Sequence, residues 1–126
     1  MYALVNDVES YPEFLHWCAG ARVLAREESA VVAELDVGLG GLKQSLTTRN
    51  TLEPPHKISI CLLNGPFQRL DGSWTFTDAE HGCQVELSLE FEVSMSPLGF
   101  VLAGIFEEIA RSQMDAFIKR ARSVFA

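Results

Sequence analysis

Positive charge is scarce in this chain. Ten Lys and Arg stand against seventeen Asp and Glu, a formal net charge of −7. Phosphate backbones select clustered basic side chains, so this balance argues against a general affinity for nucleic acid. The one basic cluster is Lys119, Arg120 and Arg122, with Arg111 two turns earlier. It falls near the end of a helical pattern, where cations complement the helix dipole. Asp115 lies four residues from both Arg111 and Lys119, so helix ion pairs account for part of it.

Long apolar runs are also missing. Hydrophobic residues make up 48% of the chain, yet the longest apolar stretch, Pro97 to Phe106, is far short of the ~20 residues of a membrane span. No basic segment leads into an apolar run near Met1, so a secretory signal is not expected. Cysteines are few. Cys18, Cys61 and Cys83 are odd in number and widely spaced, which fits a reduced cytoplasmic protein better than a disulfide framework.

Catalytic and metal-binding patterns are thin. His16, His56 and His81 sit in separate segments without metal-ligand spacing, and no metal site is expected. Gly38-Leu39-Gly40-Gly41 lacks the Gly-Lys-Ser/Thr of a phosphate loop and leads into a strand pattern, so it reads as a hairpin turn. Cys18 has no base fixed near it and reads as a packing residue. Glu90 and Glu92 fall on the wet face of their strand. No catalytic residues are assigned.

What is there is alternation. Val31, Ala33, Leu35, Val37 and Leu39 alternate with polar or small residues, as do Ile58, Ile60 and Leu62. Leu70, Gly72, Trp74 and Phe76 do the same, and so do Val85, Leu87, Leu89, Phe91 and Val93. Short turns between such strands imply an antiparallel meander of six strands with one solvated face. Met1, Leu4, Val5 and Val8 make a helical stripe ahead of it, which Pro12 breaks. A second short turn is expected over Pro12 to Trp17. Ser96-Pro97 opens a C-terminal helix of roughly 28 residues, with Ser96 as N-cap. At 1.5 Å per residue it would span ~42 Å. There are no repeats or linkers, so residues 1–126 read as one α+β domain, a curved sheet covered by one long helix.

Three motifs carry a family resemblance. The first is Asp7-Val8-Glu9-Ser10-Tyr11-Pro12-Glu13-Phe14-Leu15-His16-Trp17-Cys18. The second joins Asn64-Gly65-Pro66-Phe67 to Leu70-Asp71-Gly72-Ser73-Trp74-Thr75-Phe76. The third joins Phe106-Glu107-Glu108 to Met114-Asp115-Ala116-Phe117-Ile118-Lys119-Arg120-Ala121. Together they resemble the coenzyme Q-binding START-domain proteins, whose bacterial members are named ribosome association toxins.

The resemblance implies a START-like helix-grip fold with an apolar tunnel between sheet and helix. Its expected walls are Phe14, Trp17, Leu62, Phe67, Trp74, Phe76, Leu89, Phe91, Val101, Leu102, Ile105 and Phe106. Thr48 and Asn50 add polar groups on the inward face, while Arg49 points the other way by period two. The implied ligand is ubiquinone or another polyprenyl lipid, bound without a required cofactor. The uncharged stretch Leu98 to Gly104 is the expected gate and membrane contact, which would leave the protein cytoplasmic or peripheral to the inner membrane.

Two departures stand out. His16 replaces the family's proline before Trp-Cys, which relaxes that corner and adds a titratable ring. The family's strand of about ten residues before the first helix is missing here, either because the start is placed too late or because the chain is truncated. The strand around Cys83 to Ser94 is then expected to have an open edge, on which a homodimer could form.

Three functions are compatible with this reading. One is a non-catalytic quinone carrier supporting respiration. Another is a toxin that binds the large ribosomal subunit and blocks subunit joining. A small aromatase or cyclase is the third, disfavoured by the scarcity of inward polar residues.

Overall fold

Period-two alternation builds the sheet. The computed structural model describes residues 1–39, 41–80 and 82–125. Gly40 and His81, named in the hairpin and histidine readings, lie outside the described residues, as do the side chains of Leu39, Leu42, Val124 and Phe125. The strands are β1 (Cys18–Arg26), β2 (Ala30–Leu39), β3 (Leu42–Glu53), β4 (Lys57–Asn64), β5 (Arg69–Ala79) and β6 (Gly82–Glu92). They form one antiparallel sheet in sequence order. Gly41 takes φ +82°, a conformation that favours glycine, at the β2–β3 hairpin.

The sheet has one dry face. Val31, Ala33, Val37, Leu46, Ile58, Leu70, Trp74 and Phe76 are buried on it. The opposite face carries the ion pairs of Arg22 with Glu34 and Asp36, and of Arg49 with Glu27. A row across the register runs Val31, Asn50, Ile60, Gly72, Leu89. Gly72 is required where it stands: an added Cβ would sit 2.4 Å from the Ser88 carbonyl oxygen and 2.7 Å from Leu89.

Helix α2 (Pro97–Phe125) crosses the dry face. Leu102, Phe106, Ile109 and Phe117 are its buried stripe, at spacings of four, three and eight. Ser96 caps it as expected, its Oγ accepting from the Gly99 N–H at 3.1 Å. Gly99 is more than a weak helix former. A Cβ there would meet the Ser94 carbonyl oxygen at 1.9 Å, so the first turn is packed onto the chain that leads into it.

The N-terminal corner differs from expectation. Helix α1 (Tyr2–Asn6) leads into a 3-10 helix over Val8–Glu13, with Pro12 inside it, rather than a turn starting at Pro12. The Tyr11 carbonyl accepts from the Phe14 and Leu15 N–H groups, at 3.2 and 2.9 Å. Pro12 follows that carbonyl, and its fixed φ suits the tight turn. Leu4, Val5, Val8, Tyr11, Leu15 and Trp17 bring this corner into the core.

At the far side, β6 is paired with β5, and among the described residues no strand covers its other edge. Gln84, Glu86, Ser88, Glu90 and Glu92 are exposed along it. This is the open edge expected from the sequence.

Candidate functional site

Beneath α2 the dry face is not fully packed. A cavity of about 80 Å³ lies between sheet, helix and N-terminal corner. The corner contributes Val8, Tyr11 and Trp17; β2 and β3 contribute Ala33, Leu35, Leu46, Thr48 and Asn50. Ile60, Leu70, Trp74 and Leu89 complete the sheet side, and Phe106, Ile109 and Gln113 form the roof. Ala33 stands opposite Thr48 in the register, so a small side chain leaves room beside a polar one.

Backbone contacts place the site's residues. The Trp17 carbonyl accepts from the Gly38 N–H at 2.8 Å, and the Cys18 N–H donates to the Leu15 carbonyl at 3.0 Å. These bonds pin Trp17 to the end of β2. Thr48 and Asn50, two residues apart on β3, project to the same side. The Thr48 hydroxyl donates to Asn50 Oδ1 at 3.1 Å. The Tyr11 hydroxyl donates to the Val5 carbonyl.

Among the described residues no charged side chain lines the cavity. Burial pushes the Tyr11 phenol well above its ordinary range, so it is neutral. Burial also pushes the nearby Cys18 thiol up to about 11, partly offset by a backbone hydrogen bond from Gly20, which leaves it a poor nucleophile. Trp17 Nε1 is buried and finds no hydrogen-bond partner among the described residues. Among the described residues no three His, Cys, Asp or Glu gather as metal ligands. The arrangement can enclose an uncharged, mostly apolar group and offer it hydrogen-bond donors.

Of the expected tunnel residues, Trp17, Trp74, Leu89 and Phe106 line the cavity. Phe76 stacks behind Trp74 with ring centroids 6.2 Å apart. Phe67 and Phe91 buttress Phe106, at 4.4 and 6.0 Å. Leu102 is fully buried under the helix, while Leu62 and Ile105 are half-buried at the margin of the core. Phe14 lies elsewhere, packed on Phe117 and Tyr11 beneath the Arg120 guanidinium.

Val101 does not face the interior. It is 52% exposed, with Leu98 and Phe100, because the residue before Leu102 is turned ~100° away from the buried stripe. These three side chains, with Met95, leave an exposed apolar surface at the start of α2.

Gln113 was not anticipated. It occupies the inner stripe of α2, four residues from both Ile109 and Phe117, and a polar residue at that spacing was the available signal. His16 is exposed beside a shallow groove shared with Lys119 and Arg120. Arg120 is tied there by Glu13 at 2.9 Å, so part of the basic cluster anchors the corner to the helix.

Comparison with known proteins places this architecture. The family model described as "Polyketide cyclase / dehydrase and lipid transport" matches residues 1–118. A protein of Vibrio cholerae named "Ribosome association toxin RatA" is 43% identical over 126 residues, covering 99% of this chain and 88% of its own. The Xenopus laevis "Coenzyme Q-binding protein COQ10 homolog B, mitochondrial" is 25% identical over 130 residues, covering 99% of this chain and 53% of its own. Among solved structures, the Zhui aromatase/cyclase of Streptomyces superposes with a TM-score of 0.88 at 17% identity, over 99% of this chain and 86% of that one. That last likeness shows the fold alone. Sheet, helix and motifs together establish that the chain belongs to the START-like polyketide cyclase/dehydrase and lipid transport family, alongside the bacterial ribosome association toxins.

Proposed function

We propose that this chain binds an isoprenoid quinone, or a similar neutral long-tailed lipid, without altering it chemically. The observation that carries this reading is the cavity: apolar walls, no charged side chain among the described residues that line it, and a few uncharged polar groups. Small-molecule sites are built in this way. The buried neutral phenol of Tyr11 and the protonated thiol of Cys18 supply no base or nucleophile, which favours binding over catalysis.

The cavity holds no more than a few waters at ~30 Å³ each, well below the roughly 300–1,000 Å³ of a ligand pocket. A tail therefore enters by parting α2 from the sheet. The first turns of α2 are suited to this. Leu98, Phe100 and Val101 are exposed, and Gly104 has nothing within 4 Å of an added Cβ. The same apolar surface would rest on a membrane while the ligand transfers.

Lipid extraction and mass spectrometry of protein purified from its native host test this reading. A co-purifying polyprenyl quinone, near one per chain, is the expected result. Protein that carries no lipid and takes none from detergent micelles would overturn it.

The 43% identical relative named for ribosome association favours a second reading, binding to the large ribosomal subunit. The exposed Arg111 and Lys119, with Arg120, would be its contacts. Co-sedimentation with ribosomal subunits separates the two. Tight binding that salt weakens, and that glutamine at these three positions abolishes, would rank this reading first. The net charge of −7 argues for no measurable binding.

A further inference from the structure

The two ends of the sheet differ in charge. The strands are antiparallel and in sequence order, so the β2–β3 hairpin, the β4–β5 loop and the chain from β6 into α2 all leave the same end. No Asp or Glu occurs in 37–52 or 54–70, and no charged residue of either sign in 93–106. Glu90 and Glu92 lead into that last run, but both pair with Arg69, at 3.3 and 3.4 Å. At the opposite end the turns and strand ends carry Glu27, Glu28, Glu53, Asp78 and Glu80, all exposed. The acidity of the connections is thus confined to one end.

The acid-free end is also the apolar one. Leu63, next to last in β4, is 54% exposed, and Met95, ahead of α2, is 90% exposed. Leu98, Phe100 and Val101 follow at the same end. Single exposed apolar side chains are ordinary, but a group of them on one end marks a contact surface. This end also closes the cavity. Gly65 lies against Leu46, where an added Cβ would sit 3.0 Å from the Leu46 Cβ, and Phe67 packs on Phe106 with ring centroids 4.4 Å apart. Leu46 and Phe106 both line the cavity.

We propose that this whole end is a docking surface for a lipid bilayer of low surface charge, held by apolar contact rather than by basic side chains. Docking by this end keeps the exposed carboxylates of the other turns away from the lipid phosphates. It also turns the β4–β5 loop, which lies over the cavity, toward the bilayer, so a tail passes between the two without crossing water. A second copy of the chain would use the apolar side chains but would leave the cavity closed off from any lipid. The inference rests on the lipid-binding reading above, which set only the start of α2 on a membrane, and adds the β4–β5 loop and the class of membrane.

Sedimentation with phosphatidylcholine vesicles tests it. Wild-type protein is expected to bind them with an affinity that changes less than about twofold when salt is raised through the range that screens surface charge. Lys43 is an exposed cation beside the hairpin, so anionic phosphatidylglycerol should tighten binding by no more than roughly fivefold, the gain from one Lys near the surface. Leu63→Asp and Met95→Asp should each weaken binding by about tenfold. Leu24→Asp is the matched control: Leu24 is also 54% exposed, but lies on β1 near Glu27, and its change should leave binding unaltered. Melts of all three variants show that they fold.

Binding that needs phosphatidylglycerol and is lost in salt would overturn the inference and move the contact to Arg111, Lys119 and Arg120. Equal effects of Leu63→Asp and Leu24→Asp would overturn it too, as would a vesicle-free dimer that Leu63→Asp splits. Decylubiquinone titrated without vesicles separates the failures. If it binds while vesicles do not, this inference falls and the lipid-binding reading stands; if neither binds, both fall.

Discussion

Replacing Ala33 with valine should set stability against binding. Ala33 is 1% exposed on β2 and lines the cavity opposite Thr48. Filling all of its 80 Å³ would be worth about 2 kcal/mol, at ~24 cal/mol per Å³. Two added methyl groups, at ~0.8 kcal/mol each, approach the same figure. Valine also suits a strand, and misfit with Leu35 or Thr48 takes back part of the gain. The expected net effect is a stabilisation of about 1 kcal/mol, or roughly 3–5 °C in Tm for a domain of this size. Thermal and urea melts of the ligand-free protein measure it. The same variant should bind decylubiquinone at least tenfold more weakly, because the added methyls occupy space the ligand would fill. A loss of more than 1 kcal/mol, or unchanged ligand affinity, would refute the reasoning that this space is empty and functional.

Four further outcomes follow from other parts of the structure. Phe100→Asp, at a residue 62% exposed, should weaken association with liposomes and leave the melting temperature within a degree or two; unchanged liposome binding would remove the membrane contact. Gly72→Ala should destabilise the chain by more than ~2 kcal/mol, because its Cβ meets the β6 backbone, and a near-normal urea midpoint would contradict that contact. Cys61 and Cys83 are exposed and Cys18 is buried, so a thiol reagent should modify two cysteines quickly and the third on unfolding. With Cys18 raised from 9.0 to about 11 and Tyr11 raised as well, both bind protons more tightly when folded. Stability should be full below pH ~9 and fall as pH rises toward 11, which alkaline urea melts would read.

The sheet was legible because its alternation is nearly unbroken from Val31 to Val93, and one wet face fixes which residues turn inward. The helix start was legible in Ser96-Pro97, whose cap geometry is local. The corner was less so. Two short turns around Tyr11 and Pro12 depend on which carbonyls find donors, and sequence spacing does not say. The cavity was partly legible. Trp17, Trp74, Leu89 and Phe106 carry large inward side chains, and Thr48 and Asn50 stand out as polar residues on a dry face. Ala33 and Gln113 were not picked out, since a void is made by what a small residue fails to fill against neighbours distant in the chain. Val101 was misplaced because the start of α2 is apolar on more than one face, which blurs the helical phase there.

The central claim is that the space between sheet and helix takes a ligand's apolar tail. Affinity measured across ubiquinones of increasing tail length tests it most directly. Each buried methylene-sized group adds up to ~0.8 kcal/mol, so each isoprene unit should tighten binding by tenfold or more until the seam is filled, after which the gain stops. Affinity that stays flat from the tail-less headgroup to the longest tail would contradict the account.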